Sequence, residues 1–146
     1  MARVVSSIVI ARSPEDVFAV LTDVEKTGLW FPGNVTEWWL TDPPHGVGSR
    51  RRARVRIGPL AVENDAVATA YDPPRHAAMR GLSRSAPFEA DLRFTPVPGG
   101  TRVEIETVIG GGGPTRLFSP ILARLYGSGW RRGLRRLKTM MESGQL

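Results

Sequence analysis

The chain has 146 residues, a length that suits one domain spanning 1–146 and suffices to bury a core without staples. It has no cysteine, which excludes disulfides and thiolate metal sites. Its net charge is +6, but eighteen of the twenty basic residues are arginine, beside 16 glycines and 12 prolines. That bias is what GC-rich coding produces, so the charge alone argues for no nucleic-acid partner.

The first residues, "MARVVSSIVIARSPED", lack a charged start, a sustained apolar run and a cleavage site. No stretch approaches the roughly 20 apolar residues that span a bilayer. The expectation is a cytoplasmic protein without stable membrane insertion, either monomer or homodimer.

Residues 4 to 10, "VVSSIVI", are short and β-branched and predict a strand. A helix follows in "SPEDVFAVLTD", where Ser13 caps, Pro14 takes the first helical position, and Glu15 and Asp16 favour the positive end of the dipole. Val17, Val20, Leu21 and Val24 recur at helical spacing. Gly28, Pro32 and Gly33 stop the helical region soon after Lys26.

From Val35 to Ile109 the pattern is that of strands broken by turns: "DPPHGVG" (42–48), "GP" (58–59), "DPPR" (72–75), "SRSAP" (83–87) and "PVPGG" (96–100). This is the rhythm of an antiparallel meander. In "FEADLRF", Phe88, Ala90, Leu92 and Phe94 share one face; in "RVEIETVI", Val103, Ile105, Thr107 and Ile109 do. Each such strand has one buried and one wet face. Arg50, Arg52, Arg54 and Arg56 form a row on the outer face. Such a row can bind phosphate, or it can pair with acids on neighbouring strands, among them Glu63 and Asp65. No aromatic residue interleaves with it, so pairing is the expectation.

Residues 114 to 142 predict a long helix with an apolar stripe through Phe118, Leu122, Trp130 and Leu134, and Ser119-Pro120 marks a start or kink within it. Gly127, Gly129 and Gly133 lie inside, each costing ~1 kcal/mol relative to alanine. They signify either close packing against the sheet or room left above it.

The residues also resemble a family. "SPEDVFAVLTDVEKTGLWFPGNV" resembles the amino-terminal signature of the START-like (SRPBCC) superfamily, with its polyketide cyclase/dehydrase branch nearest. "DPPRHAAMRG", "FTPVPGGTRVEIE" and "LRRLKTMME" resemble later parts of the same pattern, so that the likeness spans residues 3 to 142. It implies an α+β helix-grip fold: a curved antiparallel sheet of about seven strands around a long C-terminal helix, with two short helices after the first strand. It also implies an internal cavity for a lipid, a quinone, a polyketide or another hydrophobic small molecule.

Three of the four tryptophans fall within residues 28–39. On this plan Trp30 sits near the cavity mouth, while Trp38 and Trp39, adjacent on a strand, face opposite ways. Trp38 shares its phase with Leu40 and is taken as the inward one; Trp39 shares its phase with Val35 and is the alternative. Besides Trp30 and Trp38, the expected wall comprises Asn64 and Met79, then Phe88, Leu92, Phe94 and Ile105 from the later strands. The helical region adds Phe118, Leu122, Tyr126 and Trp130.

Chemistry is sparse. His45 lies in a turn and His76 at a strand start, without metal-ligand spacing, and "GVGSRR" and "GGGGPTR" match no phosphate-binding loop. No cofactor, no metal and no catalytic residue is expected. The alternative to a carrier is a cyclase or dehydratase acting on an aromatic or polyketide substrate. Its polar groups would come from Asn64, Tyr126, Thr107 and Arg80.

Overall fold

The structure is a computed structural model. It describes residues 2–57, 59–83, 87–110 and 119–146; Phe118 lies outside them, as do the side chains of Leu122 and Tyr126.

Strand β1 (Ala2–Ile10) leads into α1 (Pro14–Thr22). Ser13 Oγ accepts from the Asp16 N–H at 3.2 Å, the cap that the sequence predicts. A 3-10 turn at Val24–Lys26 and the single-turn α2 (Thr27–Trp30) follow. Gly33, at φ +95°, then turns the chain into the sheet, a conformation open to glycine.

Six strands form the meander: β2 (Asn34–Trp39), β3 (Arg50–Ile57), β4 (Leu60–Asp72), β5 (His76–Gly81), β6 (Phe88–Val97) and β7 (Gly100–Ile109). β1 closes on β7, giving the seven-stranded order β1-β7-β6-β5-β4-β3-β2 with every pair antiparallel. Helix α3 (Ser119–Glu142) crosses the concave face. The described part of this helix starts at Ser119, and the predicted residues 114–118 lie outside the description.

The C-terminal half of α3 is clamped to the end of β1. Lys138 Nζ donates to Val9 O at 2.7 Å, the Ala11 N–H donates to Glu142 Oε2 at 2.9 Å, and Arg12 Nη1 donates to Met141 O at 2.9 Å. Beneath it Ile10, Val17, Phe18, Val103, Leu134 and Leu137 form a closed core. Each large aliphatic side chain buried there contributes about 1.5–3 kcal/mol.

Two of the helix glycines, Gly127 and Gly133, answer to close packing. A Cβ at Gly127 would stand 2.9 Å from Val4 Cγ1, and one at Gly133 would stand 3.2 Å from Pro32 Cδ and 3.4 Å from Trp30 Cε3. The missing side chains let α3 settle onto β1 and the 30–32 segment.

Candidate ligand cavity

Past Leu92 the grip is hollow. Under the middle of α3, a cavity of about 170 Å³ lies between the sheet and an aromatic roof. The roof is Trp30 (1% exposed), Phe31 and Trp130 (8% exposed), with ring centroids 5.1 to 6.0 Å apart. Across the floor stand alanines 53, 66, 68, 77, 78 and 90. Alanine is depleted in strands, so this run gives room where a branched residue would fill it. Met79, Phe88 and Leu92 complete the apolar wall, and a Cβ at Gly81 would strike the Phe88 ring.

Two cross-strand rows bring in the polar groups. Glu37 pairs with Ala53, which pairs with Asn64; Trp39 pairs with Arg51, which pairs with Ala66. Residues opposite one another point to one side, so Glu37, Asn64, Trp39 and Arg51 all face inward. Glu37 Oε2 lies 3.6 Å from Arg51 Nη1, with the two side chains 14% and 21% exposed. Arg51 Nη2 contacts the Met79 sulfur. Burial raises the Glu37 carboxyl above its ordinary pKa, and Arg51 offsets only part of that shift. Glu37 Oε2, Thr107 Oγ1 and the indole N–H groups of Trp30 and Trp130 are buried without a hydrogen-bond partner among the described residues. All four belong to the cavity wall.

The sequence expectations separate here. Trp30, Asn64, Met79, Phe88, Leu92 and Trp130 stand on the wall. Trp38 does not: it lies on the outer face, 5.5 Å from the Arg54 guanidinium, and Trp39 takes the inward place. The register of β2 on β3 decides this, because Trp38 lies opposite the outward-facing Arg52. Phe94 and Ile105 face inward but belong to the closed core; the Phe94 ring lies 5.0 Å from that of Phe18. Thr107 lines the cavity, whereas Arg80 is exposed. Glu37 and Arg51 were not anticipated, although both share a strand phase with residues of the wall.

Two members of the outer arginine row pair with neighbouring acids. Arg52 holds Asp65 through two bonds of 2.7 and 3.0 Å, and Arg54 meets Glu63 at 2.8 Å. His76 Nε2 lies 2.7 Å from Asp91 Oδ2. Among the described residues there is no cluster of metal-ligating side chains, and no helix is long and apolar enough to cross a membrane.

Comparisons agree with this architecture. A START superfamily protein from Mycobacterium smegmatis superposes with a TM-score of 0.79 at 17% identity, covering 97% of each chain. A protein from Thermus thermophilus gives 0.80 at 17% identity over 99% of this chain and 100% of its own. The di-domain ARO/CYC StfQ of the steffimycin biosynthetic pathway gives 0.78 at 13% identity, with 98% of this chain covering 51% of that one. Comparison with curated protein sequences returns no match. The family model described as polyketide cyclase / dehydrase and lipid transport matches residues 1–142, and the chain belongs to that family.

Proposed function

We propose that the domain binds a hydrophobic small molecule in the cavity between the alanine floor and the Trp30–Phe31–Trp130 roof. The cavity itself carries the reading: a family fold whose grip is packed at one end and open at the other. Its volume sets the ligand's size. An apolar cavity of about 150 Å³ holds one benzene, so about 170 Å³ suits a compact molecule of one or two rings. The unpaired wall atoms call for a few polar groups on an otherwise apolar ligand.

A second reading is a cyclase or dehydratase acting on an aromatic or polyketide-like substrate. Glu37 favours it, because a carboxyl with a burial-raised pKa is a proton-transfer group. A long polyketide needs more room than a cavity of about 170 Å³ has, which favours the compact-ligand reading. Arg52 and Arg54 of the outer row are engaged by Asp65 and Glu63, which speaks against a continuous phosphate-binding stripe.

The test is native mass spectrometry of freshly purified protein, with denaturing extraction of any adduct, followed by uptake assays with naphthalene, quinones and fatty acids. A discrete apolar adduct or saturable uptake, lost in a folded Ala68→Leu variant, supports the cavity as the binding site. Failure of the apo protein to take up any member of the panel overturns the reading.

A further inference from the structure

Among the described residues, Glu37 and Arg51 are the only charged side chains on the cavity wall, and their hydrogen bonding is unfinished. The 3.6 Å between Glu37 Oε2 and Arg51 Nη1 is an ion-pair distance, too long for a hydrogen bond. Oε2 is fully buried and accepts nothing from the described residues. The other terminal guanidinium nitrogen meets a thioether, the Met79 sulfur, which is a weak acceptor. An acceptor with an open lone pair therefore stands beside a donor with unused capacity, both in an apolar enclosure where unpaired polar groups are costly.

Few ligand groups complete both partners. A carbonyl or ether oxygen accepts from Arg51 but offers Glu37 no proton. A carboxylate meets Glu37 as a like charge. A hydroxyl donates its proton to Glu37 Oε2 while its lone pair accepts from Arg51 Nη1. We propose that the Glu37–Arg51 pair is a hydroxyl-reading site, and that the ligand is a phenolic or enolic molecule of one or two rings. This rests on the cavity being the binding site, as proposed above. The apolar roof and floor hold the ring, and the pair selects among rings by penalising those that leave its buried groups unpaired.

The experiment compares naphthalene, 2-methoxynaphthalene, 2-naphthoate and 2-naphthol by calorimetry at pH 8. On the unmodified protein, 2-naphthol binds about tenfold or more tighter than 2-methoxynaphthalene, the scale of a hydrogen bond to a charged group, and 2-naphthoate binds weakest. In the Glu37→Leu/Arg51→Leu double variant both charges leave together, so neither remains buried alone. There the preference for 2-naphthol falls to about twofold or less, while naphthalene binding persists. Equal affinity of the naphthol and its methyl ether for the unmodified protein overturns the proposal, whether or not the double variant folds. So does a preference that survives in a folded double variant. If naphthalene binds and the hydroxyl adds nothing, this proposal falls and the cavity reading stands. If no probe binds, both fall.

Discussion

Trp39 stacks on His45 with ring centroids 3.9 Å apart and planes 12° apart. The His45 Nε2–H donates to Thr41 O at 3.1 Å, which fixes the imidazole within the β2–β3 loop. Trp39, Thr22 and the 40% exposed Tyr71 line both the cavity and a shallower groove outside it. The stacked indole is thus part of the wall between ligand space and solvent.

Trp39→Ala should open that wall. Association of naphthalene becomes faster in stopped-flow mixing, and its equilibrium affinity drops by roughly tenfold as one aromatic contact is lost. Trp38→Ala serves as the control. It removes a stack on Arg54 worth about 0.5–1 kcal/mol and leaves naphthalene binding unchanged. Equal effects of the two substitutions on binding would contradict the inward assignment of Trp39.

The glycines of α3 give a paired prediction. A Cβ at Gly129 meets nothing closer than Phe31 Cζ at 3.5 Å, an ordinary contact, so Gly129→Ala stabilises by up to about 1 kcal/mol through helix propensity. A Cβ at Gly127 would press to 2.9 Å on Val4 Cγ1, a short β-branched side chain with no freedom to retreat. Gly127→Ala is therefore net destabilising despite the same propensity gain. Urea midpoints of the two variants check this, and a Gly127→Ala variant more stable than the native protein would refute the close approach.

Much of this was legible in the sequence, because period-two alternation shows which residues of β6 and β7 face inward. Alternation says nothing about position along a strand. Leu92 borders the hollow while Phe94, on the same face two residues on, is sealed in the core. In β2 each phase carries a tryptophan, and Glu37 made the true inward phase look outward. The acid is tolerated there because Arg51, hidden within the run Arg50-Arg51-Arg52, reaches it diagonally from the next strand. The alanines of "AVATAYD" and "HAAMRG" were the missed signal: small residues at inward positions of central strands mark space.

Glu37 makes the stability of the protein depend on pH. A carboxyl whose folded pKa is raised contributes stability that is fully present below its unfolded pKa and is lost as pH rises through the folded value. Arg51 is what limits that loss. In Arg51→Met the folded pKa of Glu37 rises further, so the loss deepens and extends to higher pH. The difference in Tm between native protein and variant is therefore small near pH 4 and grows toward pH 8. A constant difference across that range would mean that the two groups do not interact.

Trp130 carries the last prediction, because it is both core and roof. Its indole packs 6.0 Å from Trp30 and 5.1 Å from Phe31, centroid to centroid. Trp130→Ala costs about 3–5 kcal/mol, the range for large aromatic truncations in cores. It also merges the space left by the indole with the existing cavity, so the variant should accept a larger ring system than the native protein does. Anthracene present at about a hundredfold over its Kd returns about 2.7 kcal/mol by mass action. In thermal unfolding, anthracene then raises the Tm of Trp130→Ala more than that of the native protein, whereas naphthalene does the opposite. If anthracene shifts both proteins equally, the indole does not bound the ligand space, and its role is confined to packing α3 on α2.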